Sequence, residues 1–237
     1  MNISRRDAII ASGLSFAALS ATRADAAPQK NVKNNIDGPE RYPPLALEDM
    51  YFEQRRVVEL VTKRRDGGLA GPFIPLAYAP AILDHEQMLG EYCRFHTAIP
   101  PTLREWAIVL AARNVNSWVV FTSHSGLAQR AGAVRDEKRW GPRGPGISKE
   151  KIDAVAAKQR PANLSDDETL IYDFCMGLDA TGGCSDEIFA RAESRFGKAG
   201  VLDLVAIYGY YSTLGLVLNM THTVLPNVVP PFSTPLD

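Results

Sequence analysis

The chain has 237 residues, 46% hydrophobic and 22% charged, with a formal net charge of −1. This suits an ordinary globule with a sizeable core, forming one good-sized domain or two small ones, and gives no electrostatic footprint for nucleic acid or an anionic membrane. Cys93, Cys175, Cys184 and four scattered histidines have no zinc-ligand spacing, so no metal site is expected.

Residues 1–26 read as a secretion signal. Arg5-Arg6 opens a charged segment, 8–21 ("AIIASGLSFAALSA") is a mild apolar run, and Ala24 and Ala26 make an A-x-A cleavage site. The arginine pair, the modest hydrophobicity and Arg23 after the run point to the twin-arginine route, hence to a periplasmic or secreted protein whose mature domain starts near Ala27. The run is too short to span a bilayer, so no membrane contact is expected after processing. Export would also allow a Cys175–Cys184 disulfide, and the sequence leaves paired, buried and free states open.

Residues 27–46, with Pro28, Pro43 and Pro44, predict an extended lead-in. The spacing of Leu47, Met50, Tyr51, Val57, Val58 and Val61 predicts an amphipathic helix from Leu47 to about Arg65, stopped by Gly67-Gly68. "GPFIPLAYAP" (71–80) reads as a Pro-punctuated turn region, followed by a helix from Ala81 to Phe95. Thr102 with Glu105 makes a capping box for a helix to about Arg113. Asn114 and Asn116 then break the pattern, and Asn116 caps a helix from Ser117 to about Ala131, ended by Gly132. Residues 135–147 read as a charged surface loop. Ser148 starts a short helix to about Lys158, and Ser165 with Glu168 makes a second capping box for a helix to about Leu178.

After the turn "DATGGCSD", Ser185 begins a helix to Phe196, closed by Gly197. Residues 199–220 form a long apolar helix. Asp203, three tyrosines, Ser212 and three glycines favour a buried central helix over a membrane span. The tail, 222–237, is Pro-rich and extended. No useful β-alternation appears, so the class is all-α.

Ser117, Val120 and His124 are spaced by three and four, on one helical face. A cysteine at Ser117, in the first helical turn, would have a lowered pKa, and a second one a turn later would resolve it. The run 101–132, "PTLREWAIVLAARNVNSWVVFTSHSGLAQRAG", resembles the carboxymuconolactone decarboxylase and alkylhydroperoxidase D-like superfamily, as do "GPF" (71–73) and "SDEIFARAESRFG" (185–197). The resemblance covers roughly 45–220. It implies an alkylhydroperoxidase D-like multi-helix bundle over 47–221, assembled as a trimer or hexamer. Peroxidatic members carry a glutamate, then C-x-x-C, then a histidine. Glu105 matches the glutamate and His124 the histidine, but the cysteine positions fall on Ser117 and Val120. Valine cannot resolve a sulfenate and a serine hydroxyl is not ionised near neutral pH, so a peroxidase or antioxidant role is disfavoured.

What remains is a Glu/His pair, as in the decarboxylase-like branch. It implies a cofactor-free decarboxylase or lyase acting on a small carboxylated lactone or ring-cleavage product. Histidine suits proton transfer because its ordinary pKa, about 6.5, lies near working pH. Arginines hold carboxylates through bidentate pairs; Arg113 and Arg130 are nearest in sequence, with Arg94 further off. Ser117 and His222, with Asn219, are weaker substrate-binding candidates. On one straight helix Glu105 and His124 would stand about 28 Å apart, so they meet only if the chain turns back near Asn114–Asn116. The plainer readings stay open. Glu105 is a capping residue, His124 a core histidine, Ser117 a helix start, "YGYY" (208–211) helix packing, His85 and His96 surface residues, and the whole a binding or assembly protein without chemistry.

Overall fold

The computed structural model describes residues 39–64, 68–131, 137–140 and 144–232. The expected signal, residues 27–38 of the lead-in, and the stops at Gly67 and Gly132 lie outside them. Among the described residues the chain is an all-α, multi-helix protein with no strand. A 3-10 turn, Leu47–Asp49, precedes α1 (Phe52–Arg64), α2 (Phe73–Leu76), α3 (Pro80–Phe95), α4 (Pro101–Asn114) and α5 (Trp118–Gln129). There follow α6 (Glu137–Trp140), α7 (Lys149–Ala156), α8 (Asp166–Thr181) and α9 (Asp186–Thr221).

Where the sequence reading gives one helical domain over 47–221, the chain forms two compact units. The first draws on the chain up to Met88 and on Val217–Val229; the second is Leu89–Leu216 with Pro230–Phe232. In the first unit Val57, Val58 and Val61 make the buried stripe of α1. The helix expected from Leu47 is interrupted at Met50, whose backbone is extended (φ −79°, ψ 131°). The Tyr51 N–H is taken by the Gln54 side chain at 3.2 Å, and the Arg55 guanidinium holds the Leu47 carbonyl at 2.8 Å. The region 71–80 is not all turn. Its prolines suit a short helix start, because Pro lacks only an N–H that a first turn leaves unbonded, and α2 forms there. The described lead-in residues are fastened by Arg41, whose N–H and guanidinium donate to the carbonyls of Thr221 and Met220 at 2.8 and 2.9 Å. Those carbonyls belong to the last turn of α9, where such groups lack helical donors.

In the second unit, every residue of α4 from Leu103 to Arg113 is buried. A helix apolar nearly all round belongs at the centre of a core. It packs most extensively against α5, and also against α8 and α7. Thr102 does not cap it. Pro100 holds the N-cap position and Pro101 the first turn, where proline's fixed φ is already helical. The second box is present: the Ser165 N–H donates to Glu168 Oε2 at 2.6 Å and the Glu168 N–H to Ser165 Oγ at 3.3 Å. That helix, α8, runs three residues past the expected Leu178 to Thr181 and stops at Gly182, whose φ of 74° suits glycine. The segment read as a surface loop, 135–147, contains α6 and ends on buried Ile147, whose N–H donates to the Ala128 carbonyl at 3.0 Å. The break expected at Gly197 is present inside α9 (φ 72°, ψ 172°).

Candidate functional site

The chain reverses between α4 and α5 within three residues. Asn116 takes the left-handed conformation (φ 54°), which asparagine tolerates better than most side chains. Its Oδ1 accepts from Arg113 Nη1 at 2.5 Å, and the Ser117 N–H donates to the Ala112 carbonyl at 2.8 Å. Asn116 is therefore the turn residue, and Ser117, with extended backbone and no side-chain cap bond, holds the N-cap that the sequence assigns to Asn116.

A turn this short makes the two helices antiparallel neighbours. Glu105 lies about ten residues before it and His124 about eight after it, so at 1.5 Å rise per residue they come nearly level. Glu105 Oε2 and His124 Nδ1 are 2.7 Å apart. Glu105 is 1% exposed. The His124 side chain keeps 11% of its surface accessible, against 2% for that of Glu105, so solvent approaches the pair from the histidine side.

Burial pushes the Glu105 carboxyl up, but the charge and hydrogen bond of His124, with Arg94 and Arg104 nearby, more than offset this and hold it below the usual carboxylate range. An ionised Glu105 accepts, so Nδ1 carries the proton and Nε2 is left to take or give one. The Tyr211 ring meets the imidazole edge-on, centroids 4.8 Å apart at 75°. Burial pushes the Tyr211 phenol far up, so it stays neutral.

Arg113 is committed elsewhere: Nε donates to the Ala156 carbonyl at 2.8 Å, Nη1 to Asn116, and its guanidinium lies 4.1 Å from the Phe232 ring. Arg130 is exposed just past the end of α5. Ser117 Oγ is buried with no hydrogen-bond partner among the described residues. His222 belongs to the first unit, just past α9, with φ 57° and an unpartnered, buried Nδ1. His85 and His96 are exposed, His85 on α3.

Sequence reasoning missed Arg104, which is 4% exposed beside Glu105. Its one signal was an arginine beside Glu105 at the head of the apolar run "WAIVLAA". Cys175 and Cys184 are not joined. Burial raises both thiols, and Cys175 is fully enclosed. A groove of about 470 Å3 lined by Thr102, Pro145, Lys151, Asn163, Ser165 and Glu168 does not include the Glu105–His124 pair. Its lysine is bound to Glu168 at 2.7 Å. Among the described residues no three His, Cys, Asp or Glu side chains cluster as metal ligands. Neither a family model nor a curated protein matches the chain.

Proposed function

We propose that the chain is an acid–base enzyme of the carboxymuconolactone decarboxylase type, acting without a cofactor on a small carboxylated lactone or ring-cleavage product. The observation that carries this reading is the 2.7 Å bond between a buried, ionised carboxylate and an imidazole that still touches solvent. Structural ion pairs gain nothing from such an opening, whereas a proton carrier needs one. In the reaction, the bond between the substrate's carboxyl carbon and its α-carbon breaks. The electron pair moves into the adjacent carbonyl as an enolate, and CO2 leaves. Protonated His124 then delivers the Nε2 proton to the α-carbon, with Glu105 holding the ring and balancing its charge. Solvent returns the proton.

Ser117 and Val120, where peroxidatic relatives carry cysteines, favour this over thiol chemistry, as do the raised pKa values of Cys175 and Cys184. The same resemblance carries the proposal of a trimer or hexamer, and the Arg5-Arg6 leader that of a periplasmic or secreted location.

The test is CO2 release from a panel of carboxylated lactones and β-keto acids. His124→Gln lowers turnover by about 10²–10⁴-fold, while circular dichroism and melting temperature stay at parental values. Turnover equal to the parent removes the reading.

A further inference from the structure

Arg104 has no structural employment that accounts for its burial. It is 4% exposed, and its Nε is sealed from solvent without a hydrogen-bond acceptor among the described residues. A guanidinium offers five donors and keeps its charge, so enclosing it unpaired is costly. Of the charges acting on it, that of Glu105 in the candidate site favours its cation, while those of Arg94 and Arg139 oppose it. Arg94, at the end of α3, also acts on Glu105 and Tyr211. Arg139 is engaged with the Thr97 carbonyl at 2.9 Å. Around one carboxylate the site therefore gathers two further guanidiniums, Arg94 and Arg104, and a neutral phenol. The surplus is positive. One carboxylate from a ligand offsets it and supplies the acceptors a guanidinium fork lacks.

We propose that Arg104, backed by Arg94, is the carboxylate-binding residue of this site, and that its ligand is a small organic acid presenting one carboxylate to the guanidinium and a carbonyl to the His124 Nε2. The role of that carbonyl rests on the acid–base reading above; the carboxylate contact is tested apart from it.

The probe is levulinate, which carries one carboxylate and one ketone, with levulinamide as its neutral counterpart. Affinity is read by calorimetry and by the rise in melting temperature. The parent binds levulinate and not the amide. Arg104→Met binds it about 10- to 100-fold more weakly and, freed of an unpaired buried charge, melts without ligand at or above the parent. Arg104→Lys keeps the charge but loses the fork, so it also binds more weakly; it serves if the Met variant fails to fold. Parental affinity in either variant, or a parent that responds equally to acid and amide or to neither, overturns the assignment. His124→Gln separates the two readings, because it still discriminates levulinate from levulinamide while losing turnover. If it turns over normally while Arg104→Met loses binding, the acid–base reading falls and the carboxylate site stands. If Arg104→Met binds as the parent does while His124→Gln is inactive, the carboxylate site falls alone.

Discussion

Glu105 is the residue whose charge state ties stability to chemistry. Its folded pKa lies below the ordinary carboxylate value, so its ionised form stabilises the fold. That contribution is complete above the unfolded value and is lost as pH falls through the folded one. Replacing it with glutamine leaves His124 without its anion; breaking a buried pair in this way costs about 3–5 kcal/mol. Thermal melts of Glu105→Gln against the parent are expected to differ most near neutral pH, with the gap closing as pH drops below 4.5. A gap that widens on acidification contradicts the assignment. Glu105 and His124 were legible in the sequence because the family resemblance singles out both and Asn116 marks the turn that lets them meet. Arg104 was not, because its distinguishing property is the lack of a partner once buried, and no local pattern encodes that. The role of Thr102 was misread for a different reason: the serine/threonine-to-glutamate spacing is the same whether the glutamate turns back to the helix start or reaches across to another helix.

Among the elements, the α4–α5 turn sets the level at which carboxylate and imidazole meet, and α9 presses on it. A Cβ added at Gly215 would sit 2.7 Å from Val115 Cγ2 and 2.9 Å from Ser117 Cβ. Gly215→Ala is therefore expected to cost about 1–3 kcal/mol in urea unfolding and to lower turnover, since the displaced residues flank the turn. Unchanged stability would mean that α9 has room to withdraw. Helix ends marked by side-chain or glycine chemistry were readable in advance, as at Ser165 and Gly197. Ends decided by proline geometry or tertiary bonds were not. Pro101 starts α4, and Arg55 with Gln54 interrupts the segment from Leu47. Gly215 itself gave no warning, because a close approach between distant segments is a property of packing.

In the whole molecule, α9 is long and apolar enough to cross a membrane by length and composition, and half of its most apolar stretch is buried. Its outward positions Leu202, Val205, Gly209, Thr213 and Leu216 are exposed, uncharged and spaced along one face, with Leu202 at 69% exposure. A second copy of the chain is the occupant the proposed trimer or hexamer supplies. Light scattering of the parent is expected to give that mass, and Leu202→Glu a smaller one; equal masses count against the seam. The sequence announced the helix as apolar but not which side stays outside, because its outer face is uncharged and its one acid over this stretch, Asp203, lies on the buried side. The Arg41 fastening bears on biogenesis. It joins positions 179 apart, so the first unit draws on both ends of the polypeptide, while the second is nearly contiguous. During synthesis the second unit has its residues early, and the first waits for the end of α9 to leave the ribosome. Closure of that clasp therefore reports that the end of α9 has been synthesised.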